Sequence, residues 1–268
     1  MTKIVAKGAF SKIGIIGLGL IGGSIAKALQ RKKGGVQIAS LNRDCPDLQQ
    51  AFDQKIVDLV FESWEELIAW SDLIILASPL ATLPSLAEEI GRCCPCDKQL
   101  LVIDVGSVKK EIIPLFEKWT NGKIEFLSTH PMAGKEKWGF SHSDADLFHH
   151  CSWIVSPHSK NQNATVKQVG ALIESLGAHP AILSPDKHDA QVALISHLPA
   201  LLSRLLLKFV ETQDPEALKI AGPGFHSMTR LAKDNPRMQA EIARLNREEL
   251  TYQFNQWLAF IRAEMETR

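Results

Sequence analysis

The chain has 268 residues, of which 45% are hydrophobic and 22% are charged, and 30 basic side chains balance 30 acidic ones. This length fits two domains of ordinary size better than one compact core. The charge balance excludes the strongly basic surface of a typical nucleic-acid-binding or membrane-surface protein. We therefore expect a small-molecule substrate, and no nucleic acid or membrane as a partner.

The five cysteines indicate neither a disulfide framework nor a metal site. Three of them lie in Cys93-Cys94-Pro95-Cys96, and Cys45 and Cys151 are isolated. Their spacing does not match that of zinc ligands, and no histidine is close to the cluster, so we expect no metal. Reduced thiols in an odd number are typical of a cytoplasmic protein.

The N-terminal segment places lysines before the apolar stretch Ile13 to Leu29, as signal peptides do. Five glycines interrupt this stretch, and no small-residue cleavage site leads into a plausible mature start. No other segment approaches the composition of a membrane span. The sequence therefore predicts a cytoplasmic protein.

The first half of the chain alternates short, continuously apolar runs with helical segments. Continuous apolar runs are typical of strands buried on both faces, and this alternation predicts a doubly wound, mostly parallel sheet of the Rossmann-like α/β class. The predicted strands are 12–17, 36–41, 73–78, 100–105, 125–129 and 152–156. The predicted helices are 22–31, 47–54, 64–70, 82–91 and 108–119.

The pattern changes after the polar loop 159–163, which predicts a dinucleotide-binding domain over 1–160 and a helical substrate and dimerisation domain over 161–268. A helix over 165–176 and a short strand over 179–183 come first. The segment 186–210 is apolar on most of its circumference and contains Pro199, which predicts a buried, kinked helix. A domain of about a hundred residues rarely buries such a helix alone. We therefore expect a homodimer.

Asn235-Pro236 supplies an N-cap and a first-turn proline, which predicts one last helix running close to the end of the chain.

The segment Gly17-Leu18-Gly19-Leu20-Ile21-Gly22 follows a predicted strand and opens a predicted helix. In that context the spacing indicates a dinucleotide site: the first glycine allows a tight turn, the second a close approach of the pyrophosphate, and the third close packing of helix on strand. The predicted cofactor contacts here and after the strand 73–78 are Gly17, Gly19, Leu20, Ile21, Gly22, Ser78 and Pro79.

The end of the second strand predicts which phosphate state of the cofactor is bound. Asn42 stands where an NAD site usually offers an acidic residue to the ribose 2′-hydroxyl, and Arg43 follows it. An uncharged residue beside a guanidinium suits a 2′-phosphate, so both are predicted contacts of a preferred NADP. The alternative is that Asp44 takes the acid's role and the cofactor is NAD.

Polar residues follow two further strands, at the sheet edge where doubly wound folds bind ligands. Asp104-Val105-Gly106-Ser107 follows the fourth predicted strand, and His130-Pro131 follows the fifth. We expect His130 to face the nicotinamide just past its strand, with Ser107 close by at a helix N-terminus. For a lone histidine the usual alternative is a packing or capping role.

Together these segments resemble the prephenate/arogenate dehydrogenase (TyrA) family over nearly the whole chain. The resemblance is carried by Gly17 to Ser24, Ser107-Val108-Lys109, His130-Pro131-Met132-Ala133-Gly134, His188-Asp189, Ser196-His197-Leu198-Pro199, Gly222-Pro223-Gly224-Phe225 and Thr229-Arg230. It implies oxidative decarboxylation of a cyclohexadienol, prephenate or arogenate, with hydride transfer to NADP or NAD in tyrosine biosynthesis.

The resemblance also implies roles for the site residues. His130 takes the proton of the ring hydroxyl, Ser107 orients that hydroxyl, and Arg230 pairs with a substrate carboxylate. Glu136 gates or orients the site. His197 borders the substrate, although a structural hydrogen bond is an equally open interpretation of that residue.

Three departures leave the substrate open. Ala200 replaces a second histidine of the relatives, Ser227 an acidic residue, and Gln239 a tryptophan. The absence of that histidine, together with Asn42-Arg43, slightly favours arogenate as the substrate. A relative acting on an amino-substituted prephenate is a close alternative.

Two more distant alternatives remain. A β-hydroxyacid dehydrogenase or imine reductase would place a catalytic lysine or other donor early in the long interdomain helix, but this chain has no lysine between Lys187 and Lys208. A non-catalytic NADP-binding protein would lack His130 or Ser107, and both are present.

Overall fold

The computed structural model describes residues 10–32, 35–41, 45–95, 97–119 and 123–267. The chain divides into two compact units, Met1–Pro185 and Asp186–Arg268. This boundary lies well beyond the predicted one at residue 160. The reason is that the helix and strand after the polar loop pack into the sheet of the first unit, where they complete its edge.

The first unit consists of one sheet and its connecting helices. Its strands are β1 (Lys12–Ile16), β2 (Gln37–Leu41), β3 (Leu59–Phe61), β4 (Leu73–Leu76), β5 (Leu100–Asp104), β6 (Ile124–Pro131), β7 (Ser152–Ser156) and β8 (His179–Ile182). Its helices are α1 (Leu20–Arg31), α2 (Pro46–Asp53), α3 (Trp64–Trp70), α4 (Leu83–Cys93), α5 (Ile113–Glu117) and α6 (Asn163–Ser175).

Within the described residues the sheet has eight strands in the order β3-β2-β1-β4-β5-β6-β7-β8. All neighbouring pairs are parallel except β6 and β7, which are antiparallel. The strand order reverses between β1 and β4, which is where doubly wound folds form a ligand crevice at the carboxyl ends of the strands. The predicted Rossmann-like class is confirmed.

The central strands are buried because helices cover both faces of the sheet. Every residue of β4 and β5 is buried, as their continuous apolar sequences predict. The short strand β3 was not predicted. Its three residues Leu59–Phe61 lie at the sheet edge and are partly exposed, so they carry too little apolar pattern to be recognised.

The second unit is helical. A continuous helical run comprises α7 (Pro185–Val192), a π-helical segment (Ala193–His197) and α8 (Leu198–Gln213). It is followed by α9 (Pro223–Met228), α10 (Pro236–Leu245) and α11 (Arg247–Glu266), with 3₁₀ turns at Pro215–Ile220 and Arg230–Lys233.

The predicted kink near Pro199 takes the form of the π-helical segment that ends at His197. Proline has no amide hydrogen and its ring crowds the carbonyl four residues earlier, so regular α-helical bonding is interrupted there. The predicted single last helix is wrong, because it divides at Asn246 into α10 and α11. Its predicted start is confirmed: the Asn235 side chain accepts from the amides of Arg237 and Met238.

The run Pro185–Gln213 is long and apolar enough to cross a membrane by length and composition, which corrects the expectation that no segment approaches a span. Only 33% of its most apolar window is buried within the chain. One such helix is weak evidence for a membrane protein, because buried and interface helices of soluble proteins have the same composition.

Candidate active site

The glycine-rich turn between β1 and α1 has the close backbone contacts that its spacing predicts. Gly17 has a φ of 91°, and a Cβ there would lie 2.6 Å from the carbonyl oxygen of Ala77. A Cβ on Gly22 would lie 1.9 Å from the carbonyl oxygen of Gly17. Neither position therefore accommodates a side chain, and α1 packs directly against the turn.

The start of α1 is open for a ligand. The helix begins at Leu20, two positions earlier than predicted, with Gly19 as its N-cap and no capping side chain. A Cβ on Gly19 would meet nothing within 4 Å. The first-turn amides, which include those of Leu20 and Ile21, lack helical acceptors and lie at the positive end of the helix dipole. This arrangement fits the pyrophosphate of a dinucleotide.

A cleft opens beside this turn, at the carboxyl ends of β1, β2 and β4. Gly17 and Ser78 line it, together with mostly apolar side chains. The Thr82 hydroxyl donates to the Pro79 carbonyl oxygen at 2.7 Å and lies 2.9 Å from the Ser78 hydroxyl, which holds the segment after β4 in place. The cleft lies where the strand order reverses, the usual nucleotide position.

The residues predicted to distinguish NADP from NAD are Asn42 and Arg43, with Asp44 as the alternative. All three lie outside the described residues. Leu41, the last residue of β2, and Cys45 are the nearest described residues on either side, and both line the cleft.

A buried network around Asp104 joins the ends of β5 and β6. Asp104 Oδ1 accepts from the Ser128 hydroxyl at 2.6 Å and from the Thr129 amide at 3.1 Å. Asp104 Oδ2 accepts from the Gly106 amide and from Lys109 Nζ, both at 2.8 Å, and Lys109 also donates to the Thr129 carbonyl oxygen at 2.7 Å. The network fastens the segment after β5 to the end of β6.

Ser107 lies on the segment that this network holds, between Gly106 and Lys109. The prediction that it starts a helix is wrong, because α5 begins only at Ile113. Lys109 is fully buried and its ammonium group bonds to Asp104, so the chain turns inward at the point where the sequence pattern predicts a helix.

His130 lies inside β6, not just past its end as predicted. The antiparallel neighbour β7 extends the ladder to Pro131, and His130 pairs with Ile154. The side chain is 8% exposed. Because β5 and β6 are parallel, His130 and Ser107 lie at the same carboxyl edge of the sheet as the glycine-rich turn.

The remaining predicted site residue of the first unit is Glu136. It is exposed and lies in the segment between β6 and β7, six positions after His130. The same segment is held by an ion pair of 2.9 Å between Lys135 and Asp144.

In the second unit, Arg230 and His197 lie on elements that contact each other. Arg230 is exposed and opens the 3₁₀ turn Arg230–Lys233. The Ala232 amide of this turn donates to the Ser203 hydroxyl of α8 at 3.0 Å. That bond ties the turn to the helical run that carries His197.

His197 belongs to a buried polar cluster. Asn246 Nδ2 donates to the Asp189 carbonyl oxygen at 2.9 Å and lies 3.1 Å from His197 Nδ1. His188 Nδ1 lies 2.7 Å from the Asp189 carboxylate. Burial lowers the pKa of the His197 imidazole to about 4, and the negative charge of Asp189 only partly offsets this. His197 is therefore neutral at physiological pH.

Sequence reasoning did not single out Asn246. The one local signal is an asparagine inside a helical pattern, where its side chain competes for backbone groups and favours a break. Its partners lie 49 and 57 positions earlier in the chain, and no local pattern indicates them.

The cysteine cluster carries no chemistry that the described residues support. Burial raises the pKa of the Cys93 thiol to about 11, and contacts with Glu65 add to this, so the thiol stays protonated at neutral pH. Cys45, Cys94 and Cys151 form no disulfide among the described residues. Cys96 lies outside the described residues.

Comparison with protein families assigns both units. Residues 25–193 match the family model described as prephenate dehydrogenase, nucleotide-binding domain. Residues 184–267 match the model described as prephenate dehydrogenase, dimerization domain. The two matches meet near the boundary between the structural units, and together they extend from α1 to the end of α11.

Individual relatives agree with these matches. The chain is 28% identical to the prephenate dehydrogenase of Bacillus subtilis over 91% of its own length, and spans 66% of the length of that relative. Its fold is similar to the crystal structure of a prephenate dehydrogenase from A. aeolicus in complex with hydroxyphenyl propionate and NAD⁺, with a TM-score of 0.87, 28% identity, and 96% and 90% of the two chains covered. It is also similar to the Synechocystis arogenate dehydrogenase, with a TM-score of 0.80, 26% identity, and 95% and 91% covered.

Proposed function

Because this chain belongs to the prephenate dehydrogenase family, we propose that it catalyses the oxidative decarboxylation of a cyclohexadienol, prephenate or arogenate, in tyrosine biosynthesis. One observation carries the proposal. The network around Asp104 holds the segment of Ser107 against the end of the strand that carries His130, at the edge of the sheet where the dinucleotide turn lies.

The residues of the first unit have the roles that this reaction needs. Gly17, Gly19 and the first-turn amides of α1 hold the dinucleotide, which supplies the hydride acceptor when bound. His130 accepts the hydrogen bond of the ring hydroxyl and holds its proton as hydride leaves the ring carbon that bears this hydroxyl. Ser107 shares that hydroxyl and orients it.

Loss of the ring carboxylate completes the reaction. The bond between the ring and this carboxylate breaks, carbon dioxide leaves, and the electron pair of the bond enters the ring. The ring becomes a phenol, whose oxygen regains the proton held by His130. Aromatisation drives the step.

In the second unit, Arg230 pairs with a carboxylate of the substrate through its two parallel N–H groups. His197 borders the substrate. Glu136 gates or orients the site from the exposed segment after β6.

We further propose that the preferred cofactor is NADP and that the preferred substrate, by a small margin, is arogenate. Asn42 and Arg43 support NADP, because a guanidinium beside an uncharged residue suits a 2′-phosphate. Ala200, in place of a second histidine, supports arogenate, and one similar structure is an arogenate dehydrogenase. The similar A. aeolicus structure contains NAD⁺, so the cofactor preference needs a direct test.

The protein is further proposed to be a cytoplasmic homodimer. The match of residues 184–267 to a dimerization domain supports the dimer. A β-hydroxyacid dehydrogenase or imine reductase is disfavoured, because the helical segment between Lys187 and Lys208 contains no lysine.

The test is a comparison of rates with two substrates and two cofactors. Purified protein is mixed with prephenate or arogenate and with NADP or NAD, and reduced cofactor and carbon dioxide are measured. We expect reduced cofactor and carbon dioxide in equal amounts, and the fastest turnover with NADP. Without substrate we expect no reduction of the cofactor. Absence of turnover with both substrates at high enzyme concentration would overturn the proposal.

A further inference from the structure

The hydrogen bonds of Asn246 define which nitrogen of His197 carries the proton. The Asn246 amide has two N–H groups on one nitrogen, Nδ2. One of them donates to the Asp189 carbonyl oxygen at 2.9 Å, and a carbonyl can only accept. This contact fixes the orientation of the amide, because the flipped amide would place two oxygens against each other.

The second N–H of Asn246 then faces His197, whose Nδ1 lies 3.1 Å from Asn246 Nδ2. Because both hydrogens of Nδ2 are donors, Nδ1 of the imidazole must be the acceptor and carries no proton. In a neutral imidazole the proton is then on Nε2. Both bonds come from one residue at the junction of α10 and α11, so the tautomer depends on the position of that junction.

The other ring nitrogen of His197, Nε2, takes no part in these contacts. It is buried, and it has no hydrogen-bond partner in the described part of the chain. The side chain is 4% exposed. A buried N–H group without an acceptor costs free energy, which an oxygen of a bound ligand would recover.

We infer that Asn246 is a positioning residue that holds His197 as the neutral Nε2–H tautomer, so that this imidazole donates a hydrogen bond to an oxygen of the substrate. The inference rests on the proposed function for the identity of the acceptor. The titratable groups that act on His197 are Asp189 and His188, both on α7.

The first test reads the tautomer directly. The unaltered protein is labelled with ¹⁵N in its histidines, and the signal of His197 is assigned by its loss in His197→Gln. We expect an unprotonated Nδ1 and a protonated Nε2 at neutral pH, with no change of protonation as the pH is lowered to about 6, below the usual histidine pKa. A proton on Nδ1 would overturn the inference, whether or not the protein turns over substrate.

The second test reverses the polarity of the contact. In Asn246→Asp a carboxylate accepts from Nδ1, so neutral His197 has its proton on Nδ1 and Nε2 becomes an acceptor. At about pH 8 we expect KM for the substrate to rise about ten- to a hundredfold with a much smaller change in kcat, because a bond made in the ground state is lost. The variant's KM should also fall as the pH is lowered and His197 becomes protonated, whereas that of the unaltered protein stays flat.

Asn235→Asp is the matched control. It adds the same charge in the same unit, and its carboxylate still accepts from the amides at the start of α10. We expect its KM and pH dependence to equal those of the unaltered protein. Equal KM values for Asn246→Asp and Asn235→Asp would overturn the inference while leaving the reaction in place. If Asn246→Asp does not fold, the ¹⁵N spectrum of the unaltered protein alone tests the tautomer of His197.

Discussion

At the scale of single residues, His130 combines burial with a position at the ligand-binding edge of the sheet. We predict that His130→Asn lowers turnover by about 10² to 10⁴, the usual contribution of a positioned acid or base, and leaves the affinity for NADP nearly unchanged. Asparagine keeps a hydrogen-bonding side chain but cannot hold a proton. Steady-state rates and a fluorescence titration with reduced cofactor measure the two effects.

His179→Asn provides the matched control for this change, because His179 is an exposed residue on β8. Its turnover should equal that of the unaltered protein. If His130→Asn weakened cofactor binding as much as turnover, His130 would be a structural residue of β6 and the catalytic assignment would be wrong.

The lowered pKa of His197 predicts a pH dependence of stability. Its pKa falls from 6.5 to about 4 on folding, so the folded state binds fewer protons than the unfolded state between these values. The free energy of unfolding must therefore decrease as the pH falls from 6.5 towards 4. At about 1.4 kcal/mol per pKa unit, this group accounts for a loss of about 2 kcal/mol between pH 7.5 and pH 5.

Urea unfolding at these two pH values and at one protein concentration measures the effect. We expect His197→Gln to remove most of the 2 kcal/mol from the difference between the two pH values, even if it lowers stability at both. His179→Asn should keep the full difference. An unchanged difference in His197→Gln would show that folding does not lower the pKa of His197.

At the scale of elements, the turn between β1 and α1 contains two glycines with opposite surroundings. A Cβ on Gly22 overlaps the Gly17 carbonyl, whereas a Cβ on Gly19 meets no protein atom within 4 Å. We predict that Gly22→Ala destabilises the first unit by about 2 kcal/mol or more, as overpacking of a tight contact does. Gly19→Ala should leave stability nearly unchanged and weaken cofactor binding at least tenfold, because its methyl group occupies the pyrophosphate position.

Thermal unfolding without cofactor and a cofactor titration separate these two outcomes. Gly170→Ala is the control, since Gly170 lies in α6 with nothing within 4 Å of a Cβ, and alanine there should stabilise the helix slightly. Normal cofactor affinity in Gly19→Ala would contradict the placement of the pyrophosphate at the start of α1.

The elements that the sequence predicts correctly are those with a local signal. Continuous apolar runs identify the buried strands, and the glycine spacing identifies the turn into α1. The elements that the sequence predicts wrongly are those whose bounds depend on tertiary contacts. A helix over 108–119 is predicted from the pattern, but the buried bond from Lys109 to Asp104 draws the chain inward and delays α5 to Ile113.

The same reasoning explains which parts of the candidate site could be predicted. Ser107, His130 and the glycines belong to short motifs that follow strands, so their common edge follows from the parallel sheet. The local pattern nevertheless predicts that β6 ends before His130. The pairing that extends this strand comes from β7, more than twenty residues later in the chain. The bond between Asn246 and His197 depends on how two distant helices pack, which no local pattern encodes.

At the scale of the whole molecule, exposed apolar side chains are concentrated in the second unit. Of the 14 large hydrophobic side chains that are exposed among the described residues, ten belong to this unit. They include Leu205 and Phe209, which lie one turn apart on α8, and Tyr252 and Phe260 on α11. Helix α11 has 20 residues, yet Leu250 alone is buried.

Apolar faces of this extent are unfavourable in water and mark an interface, which agrees with the match to a dimerization domain. We predict that Phe209→Glu converts the proposed homodimer into monomers, because Phe209 is 63% exposed and at an apolar interface the substitution would bury an unpaired charge. Analytical ultracentrifugation over a range of protein concentrations measures the change.

Phe52→Glu makes the same substitution at an exposed phenylalanine of α2 in the first unit, and it should remain a dimer. This comparison separates interface disruption from a general effect of added charge. Phe209→Glu protein that stays dimeric at every concentration would place the interface on another face of the molecule.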